Sequence, residues 1–180
     1  MRLRNLSLLS LLACAMTACS SGQNDYEIFP IQDNLSPRMM GRTLFPDAPD
    51  SLIAELGLEE GIPASVSAFL VKTGGNEILF DAANGAPDSQ LMPVLESLQT
   101  TADEVDYIFI THLHGDHIGG LLKEGEAVFS NAVIYINKIE HDAWMDMEGR
   151  QSEGLRNICS AYGERVKTFT IEDELPCGIE

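Results

Sequence analysis

Thr111-His112-Leu113-His114-Gly115-Asp116-His117-Ile118-Gly119-Gly120 is the stretch on which the reading of this chain turns. It places three of the four histidines and an aspartate within six positions, directly after the apolar run Tyr107-Ile108-Phe109-Ile110. Imidazole nitrogen and carboxylate oxygen are the donors that zinc prefers. A strand that ends in a polar loop is where open α/β folds keep their chemistry. His112 and His114, two residues apart in extended backbone, point the same way and can share one metal. Asp116 and His117 lie past the bend at Gly115 and can turn toward a second. Gly119 and Gly120 allow the backbone to pass closely beneath such a cluster.

Working toward the N-terminus, the first residues read as an address. Arg2 and Arg4 precede a short apolar run over residues 6–15, and Thr17-Ala18-Cys19-Ser20-Ser21-Gly22 is a run of small residues. The apolar run is too short to span a bilayer. A cysteine placed so resembles a bacterial lipoprotein signal: residues 1–18 would be removed, Cys19 would carry the lipid, and residues 19–25 would form a polar tether. Met16 stands where that signal most often has leucine. Cys14, or an uncleaved anchor or plain secretory signal, is the alternative. Acyl chains on Cys19 would hold the protein to a membrane. The expectation is an exported protein of the bacterial cell envelope.

Loss of residues 1–18 removes two of the eleven basic residues and none of the 28 acidic ones, so the net charge moves from −17 to −19 over 162 residues. That length supports one domain with a real core, here residues 26–180. Such acidity argues against nucleic acid as a partner, because that affinity rests on Lys and Arg. Cys159 and Cys177 remain, as a disulfide or as two buried thiols; neither lies in a Cys-x-x-Cys pair.

Periodicity predicts a strand at residues 26–31 and mostly loop over 33–64, with a short helix near 51–58. A hairpin over 66–81 turns at Gly74-Gly75-Asn76. Asp88 is a candidate cap for a helix carrying Leu91, Val94, Leu95 and Leu98. The motif strand follows at 106–111, then a strand at 133–136, helices at 138–147 and 152–162, and a strand at 166–170. Strand pairs followed by strand–helix alternation predict an α/β sheet packed with helices.

His-x-His-x-Asp-His after such a strand resembles the metallo-β-lactamase superfamily. The hairpin ending in Ile78-Leu79-Phe80-Asp81, the helix and the motif are similar to its N-terminal half, which implies an αββα sandwich. The segments around residues 129–135 and Glu140-His141-Asp142-Ala143-Trp144 are similar to the lactonase and organophosphate-hydrolase-like members. By this resemblance His112 and His114 bind one zinc and Asp116 and His117 a second, while Asp81 positions the ligand loop through hydrogen bonds. The implied activity is hydrolysis of a small lactone, ester or related electrophile by a metal-bound hydroxide. Asp116 is the candidate for passing a proton to the leaving group. His141 lies outside the motif, and Glu140 and Trp144 read as local packing. Di-iron members that reduce oxygen or nitric oxide carry glutamate where this chain has His114, which favours zinc and hydrolysis; persulfide-oxidising relatives hold one iron with the same four residues.

Complete members add a third histidine, a bridging aspartate and a last histidine from their C-terminal half. After His117 this sequence has only His141. The chain therefore reads as the N-terminal half of such a domain, and a protein ending at Glu180 is expected to bind zinc weakly and to turn over little. The competing readings are a β-lactam-hydrolysing relative and a non-catalytic metal-binding remnant. A flavin-linked oxidoreductase ranks last.

Overall fold

The computed structural model describes residues 26–36 and 38–179, so the signal segment, Cys19 and the tether lie outside the described residues. The strands are β1 (Tyr26–Gln32), β2 (Arg38–Met40), β3 (Ile62–Ala64), β4 (Ser67–Thr73), β5 (Asn76–Phe80), β6 (Tyr107–Ile110), β7 (Leu122–Lys123), β8 (Glu126–Ala127), β9 (Val133–Asn137) and β10 (Val166–Phe169). The helices are α1 (Asp50–Leu56), α2 (Leu91–Ser97), α3 (Gly115–Ile118), α4 (Lys138–Asp146) and α5 (Arg150–Tyr162).

One six-stranded sheet organises them, in the order β1-β4-β5-β6-β9-β10. β1, β4 and β5 run antiparallel, and a short hairpin turn joins β4 to β5. β5, β6, β9 and β10 are parallel, each joined to the next through a helix-bearing crossover. The Gly74-Gly75 turn takes φ of 57° and 82°, which explains two adjacent glycines there.

Alternation along the strands sends two sets of side chains to opposite faces. Ile31, Leu70, Leu79, Ile108, Ile110, Ile134 and Ile136 form the buried core with Leu91 and Leu95 of α2, Ile118 of α3, and Leu155, Ile158 and Tyr162 of α5. The other face carries a lateral row in which Phe69 pairs with Phe80, Phe80 with Phe109, and Phe109 with Tyr135. Phe109 stacks on both neighbours, with ring centroids 5.6 Å from Phe80 and 4.9 Å from Tyr135. Toward the β1 edge this face is open: Ile28 is 54% and Phe69 44% exposed.

α5 is tied down by Tyr162. Its hydroxyl donates to the Leu121 carbonyl at 2.8 Å and accepts from the Phe129 amide at 3.2 Å. Burial pushes this hydroxyl's pKa up, so it stays a donor. Cys159 and Cys177 are free, half-buried thiols, both raised in pKa by burial. Among the described residues no helix is long and apolar enough to cross a membrane.

Two sequence expectations are corrected. The stretch 33–64 holds the short β2–β3 pair as well as α1. Three-residue strands, one of them interrupted by Pro63, leave too little alternation to detect. The start of α2 is not capped by Asp88: no side chain of its own N-cap residue bonds there. Asp33, 57 residues upstream, takes that role. Its carboxylate is 1% exposed and accepts the Gln90 and Leu91 amides at 3.0 and 3.1 Å, together with the Ser89 hydroxyl. A buried anion at a helix start satisfies orphan amides and meets the positive end of the peptide dipoles. Replacing it strands those donors, so Asp33→Ala is expected to lower stability by about 1–3 kcal/mol in urea unfolding. An unchanged midpoint would remove Asp33 from this role.

Candidate metal centre

The parallel strands β5, β6 and β9 end on the same side of the sheet, and each delivers polar groups there. Asp81 follows β5, Thr111 to His117 follow β6, and Glu140 lies in α4 directly after β9. Asp81 is the most constrained of them. It takes a left-handed φ of 63°, which aspartate tolerates better than most residues. Its carboxylate is buried and accepts three hydrogen bonds: the Thr111 amide at 2.8 Å, the Thr111 hydroxyl at 2.7 Å and His117 Nδ1 at 2.7 Å.

These contacts assign the imidazole protons. His117 Nδ1 lies against a carboxylate acceptor, so it carries hydrogen and leaves Nε2 as a lone-pair donor. The Thr111 hydroxyl spends its proton on Asp81, so its oxygen accepts from His112 Nδ1, 3.2 Å away. His112 is thereby also held in the tautomer with Nε2 free. One carboxylate and one hydroxyl thus set the tautomers of both rings.

The rings are gathered closely. The His112 centroid lies 3.8 Å from that of His117 and 4.6 Å from that of His114. Asp116 and His117 belong to α3, which the sequence showed only as a bend, and His117 Nε2 is 3.9 Å from Asp116 Oδ1. Among the described residues no three His, Cys, Asp or Glu side chains make a complete metal-holding group. The donor chemistry of His112, His114, Asp116 and His117 nevertheless fits a zinc-like cation. His141 stands apart, its Nδ1 3.0 Å from Asp142 Oδ1.

A tight turn supports the loop from beneath. The Ala82 amide donates to the His117 carbonyl at 2.7 Å, and Ala83 has a left-handed φ of 56°. The close passage expected of Gly119 and Gly120 is present. A Cβ on Gly119 would collide with the Asn84 carbonyl, one on Gly120 with the Ala82 carbonyl, and one on Gly85 with Gly119. The sequence signalled the two glycines but not the partner turn, which reaches them from more than thirty residues upstream.

Two cavities meet at Asp116. One, of about 530 Å³, is lined by Leu113, Ile118, Leu122, Trp144 and Ile158, with His114 at its polar side. The other, of about 260 Å³, lies against the β2–β3 pair and includes Arg38, Met39, Met40 and Leu44. No local signal in residues 33–64 marks them as neighbours of the site.

The family model of the metallo-beta-lactamase superfamily matches residues 61–173, and the chain belongs to that superfamily. It is similar in structure to the hydrolase AbOPH of the beta lactamase superfamily, with a TM-score of 0.69 and 27% identity over 84% of this chain and 60% of the other. It is also similar to AidC, a dizinc quorum-quenching lactonase solved with a product, with a TM-score of 0.72 and 25% identity over 85% of this chain and 61% of the other. A curated relative, the beta-lactamase-like protein 2 homolog of Caenorhabditis elegans, is 30% identical over 76 residues, 42% of this chain and 26% of that protein. The chain thus spans less than two thirds of the length of these relatives. These likenesses support the α/β fold and the lactonase-like flavour of the resemblance.

The crowding under the motif yields a direct test. Gly120→Ala forces the Ala82 carbonyl to move and is expected to cost about 1–3 kcal/mol in thermal unfolding. Gly115→Ala, which meets nothing within 4 Å, is the control expected to change stability far less. Equal effects would show that crowding is not the reason for glycine at position 120.

Proposed function

We propose that the protein carrying this chain is a zinc-dependent hydrolase of small lactones, esters or related electrophiles. The observation that carries the proposal is the shared hydrogen-bond anchor of two adjacent imidazoles: Asp81 and Thr111 take the Nδ1 protons of His117 and His112, leaving both Nε2 atoms as donors. His112 and His114 would hold one metal ion, and Asp116 and His117 a second. Metals held there would supply Lewis acidity and an activated water, so no serine or cysteine nucleophile would be required.

The remaining tasks fall to the chain. Asp81 keeps the ligand tautomers and, through Thr111, the direction of the loop. The cavity of Leu113, Ile118, Leu122, Trp144 and Ile158 receives the apolar part of a substrate whose reacting group lies at His114 and Asp116. Asp116 would take a proton from the attacking water and pass it to the leaving oxygen as the bond to the acyl carbon breaks. An apolar cavity beside an electrophile-activating site favours lactones and esters, and the likeness to a lactonase supports the same choice. The charge of −17 speaks against a nucleic-acid substrate.

The test is turnover by the zinc-loaded product of the whole reading frame that encodes this chain. It should open an N-acyl lactone, and Asp81→Asn should lower kcat/KM by about 10–100-fold. Cleavage of a chromogenic cephalosporin in place of the lactone would transfer the protein to the β-lactam reading. Stoichiometric zinc with no turnover of either would make it a metal-binding module.

For location, the N-terminal segment supports an exported lipoprotein held to the cell envelope through Cys19. Detergent-dependent extraction of the expressed protein is expected, with Cys19→Ser abolishing lipid incorporation. Unchanged lipid labelling of that variant would sink the anchor.

A further inference from the structure

Leu113 lies between His112 and His114, and its amide has left the sheet ladder, since β6 ends at Ile110. A buried amide without an acceptor costs free energy. The acceptor is Glu140 Oε1, at 2.8 Å. Glu140 is the third residue of α4, whose first turn is held by Asn137: its side-chain oxygen accepts the Ile139 amide at 2.9 Å. One turn further along the same helix face, the Trp144 ring lies 6.0 Å from the His114 ring. The Leu113 side chain is fully buried beneath this contact.

The backbone of the histidine pair is therefore gripped from both sides. Asp81, after β5, takes the Thr111 amide. Glu140, after β9, takes the Leu113 amide. His112 stands between the two clamps, and His114 follows directly after the second. From this juxtaposition we infer that Glu140 is a positioning residue: it fixes the peptide between His112 and His114, and so the spacing at which their imidazoles meet a metal. The inference rests on the zinc reading above. It extends that reading to α4, a helix 27 residues away in sequence with no donor of its own in the cluster.

The experiment compares Glu140→Ala, Glu140→Gln and Asn137→Ala in the product of the whole reading frame that encodes this chain, with two readouts. The first is hydrogen exchange of the Leu113 amide in metal-free protein. The second is the visible spectrum and affinity of added cobalt(II). Glu140→Ala should speed exchange at Leu113 by about tenfold or more and weaken cobalt by about tenfold, with an altered ligand-field spectrum. Glu140→Gln keeps an acceptor oxygen at the same place and should stay within about threefold of the unsubstituted protein on both readouts. Asn137→Ala loosens the same helix without touching the contact and should leave the cobalt spectrum unchanged.

Wild-type cobalt affinity in Glu140→Ala would overturn the inference. So would equal losses in Glu140→Ala and Asn137→Ala, which would make the effect one of helix stability. A Glu140→Gln protein as impaired as Glu140→Ala would assign the effect to charge and also overturn positioning. The zinc reading fails separately, if cobalt bound by the unsubstituted protein is indifferent to His112→Ala. Exchange at Leu113 then still reports whether Glu140 holds the loop.

Discussion

The buried Asp81 carboxylate is the point from which the rest of the site is hung. Burying an anion is costly unless donors surround it, and this one is met by an amide, a hydroxyl and an imidazole N–H. Each bond has a consequence beyond its own energy. The amide sets where the chain leaves β6. The hydroxyl turns Thr111 into an acceptor for His112. The imidazole bond orients His117 and assigns its proton. The left-handed φ of Asp81 belongs to the same arrangement, because it aims the carboxylate across the strand end while the Ala82 amide returns to the His117 carbonyl. Strain of this kind persists where surrounding contacts over-determine it.

Support for that point is layered. Beneath the motif, Gly85, Gly119 and Gly120 allow two stretches of main chain to touch where no Cβ has room. Beside that turn, Asp33 ties β1 to residues 84–91. On the other flank, α4 meets the loop through Glu140 and Trp144. All of this stands on one sheet whose parallel strands end together, so loops far apart in sequence open onto a common edge. The candidate site is a property of that edge.

Much of this was legible before any coordinates. The donor cluster spans six residues, and local spacing reports side-chain direction within a strand end or turn. The hairpin, the motif strand and the two long helices showed clear periods, and α4 and α5 lie within two residues of the expected bounds. Asp81 was also within reach, as an aspartate ending a strand just ahead of the motif. What escaped has a common cause. The cap on α2 comes from Asp33 rather than from Asp88, and Glu140 binds a loop amide rather than only packing. Both are pairings across tens of residues, and both partners are main-chain amides, which carry no sequence letter.

The sequence by itself determined the chemistry: which donors stand together, that they follow a strand, and that two glycines must sit beneath them. Composition and order suffice for this, because metal affinity is a property of donor atoms and local spacing. The tertiary structure alone decided how those donors are held. Which nitrogen of His112 and His117 keeps its proton depends on a carboxylate delivered by β5, and where the peptide between His112 and His114 points depends on a carboxylate delivered by α4. The order of strands in a sheet creates those neighbours, and no stretch of chain contains them.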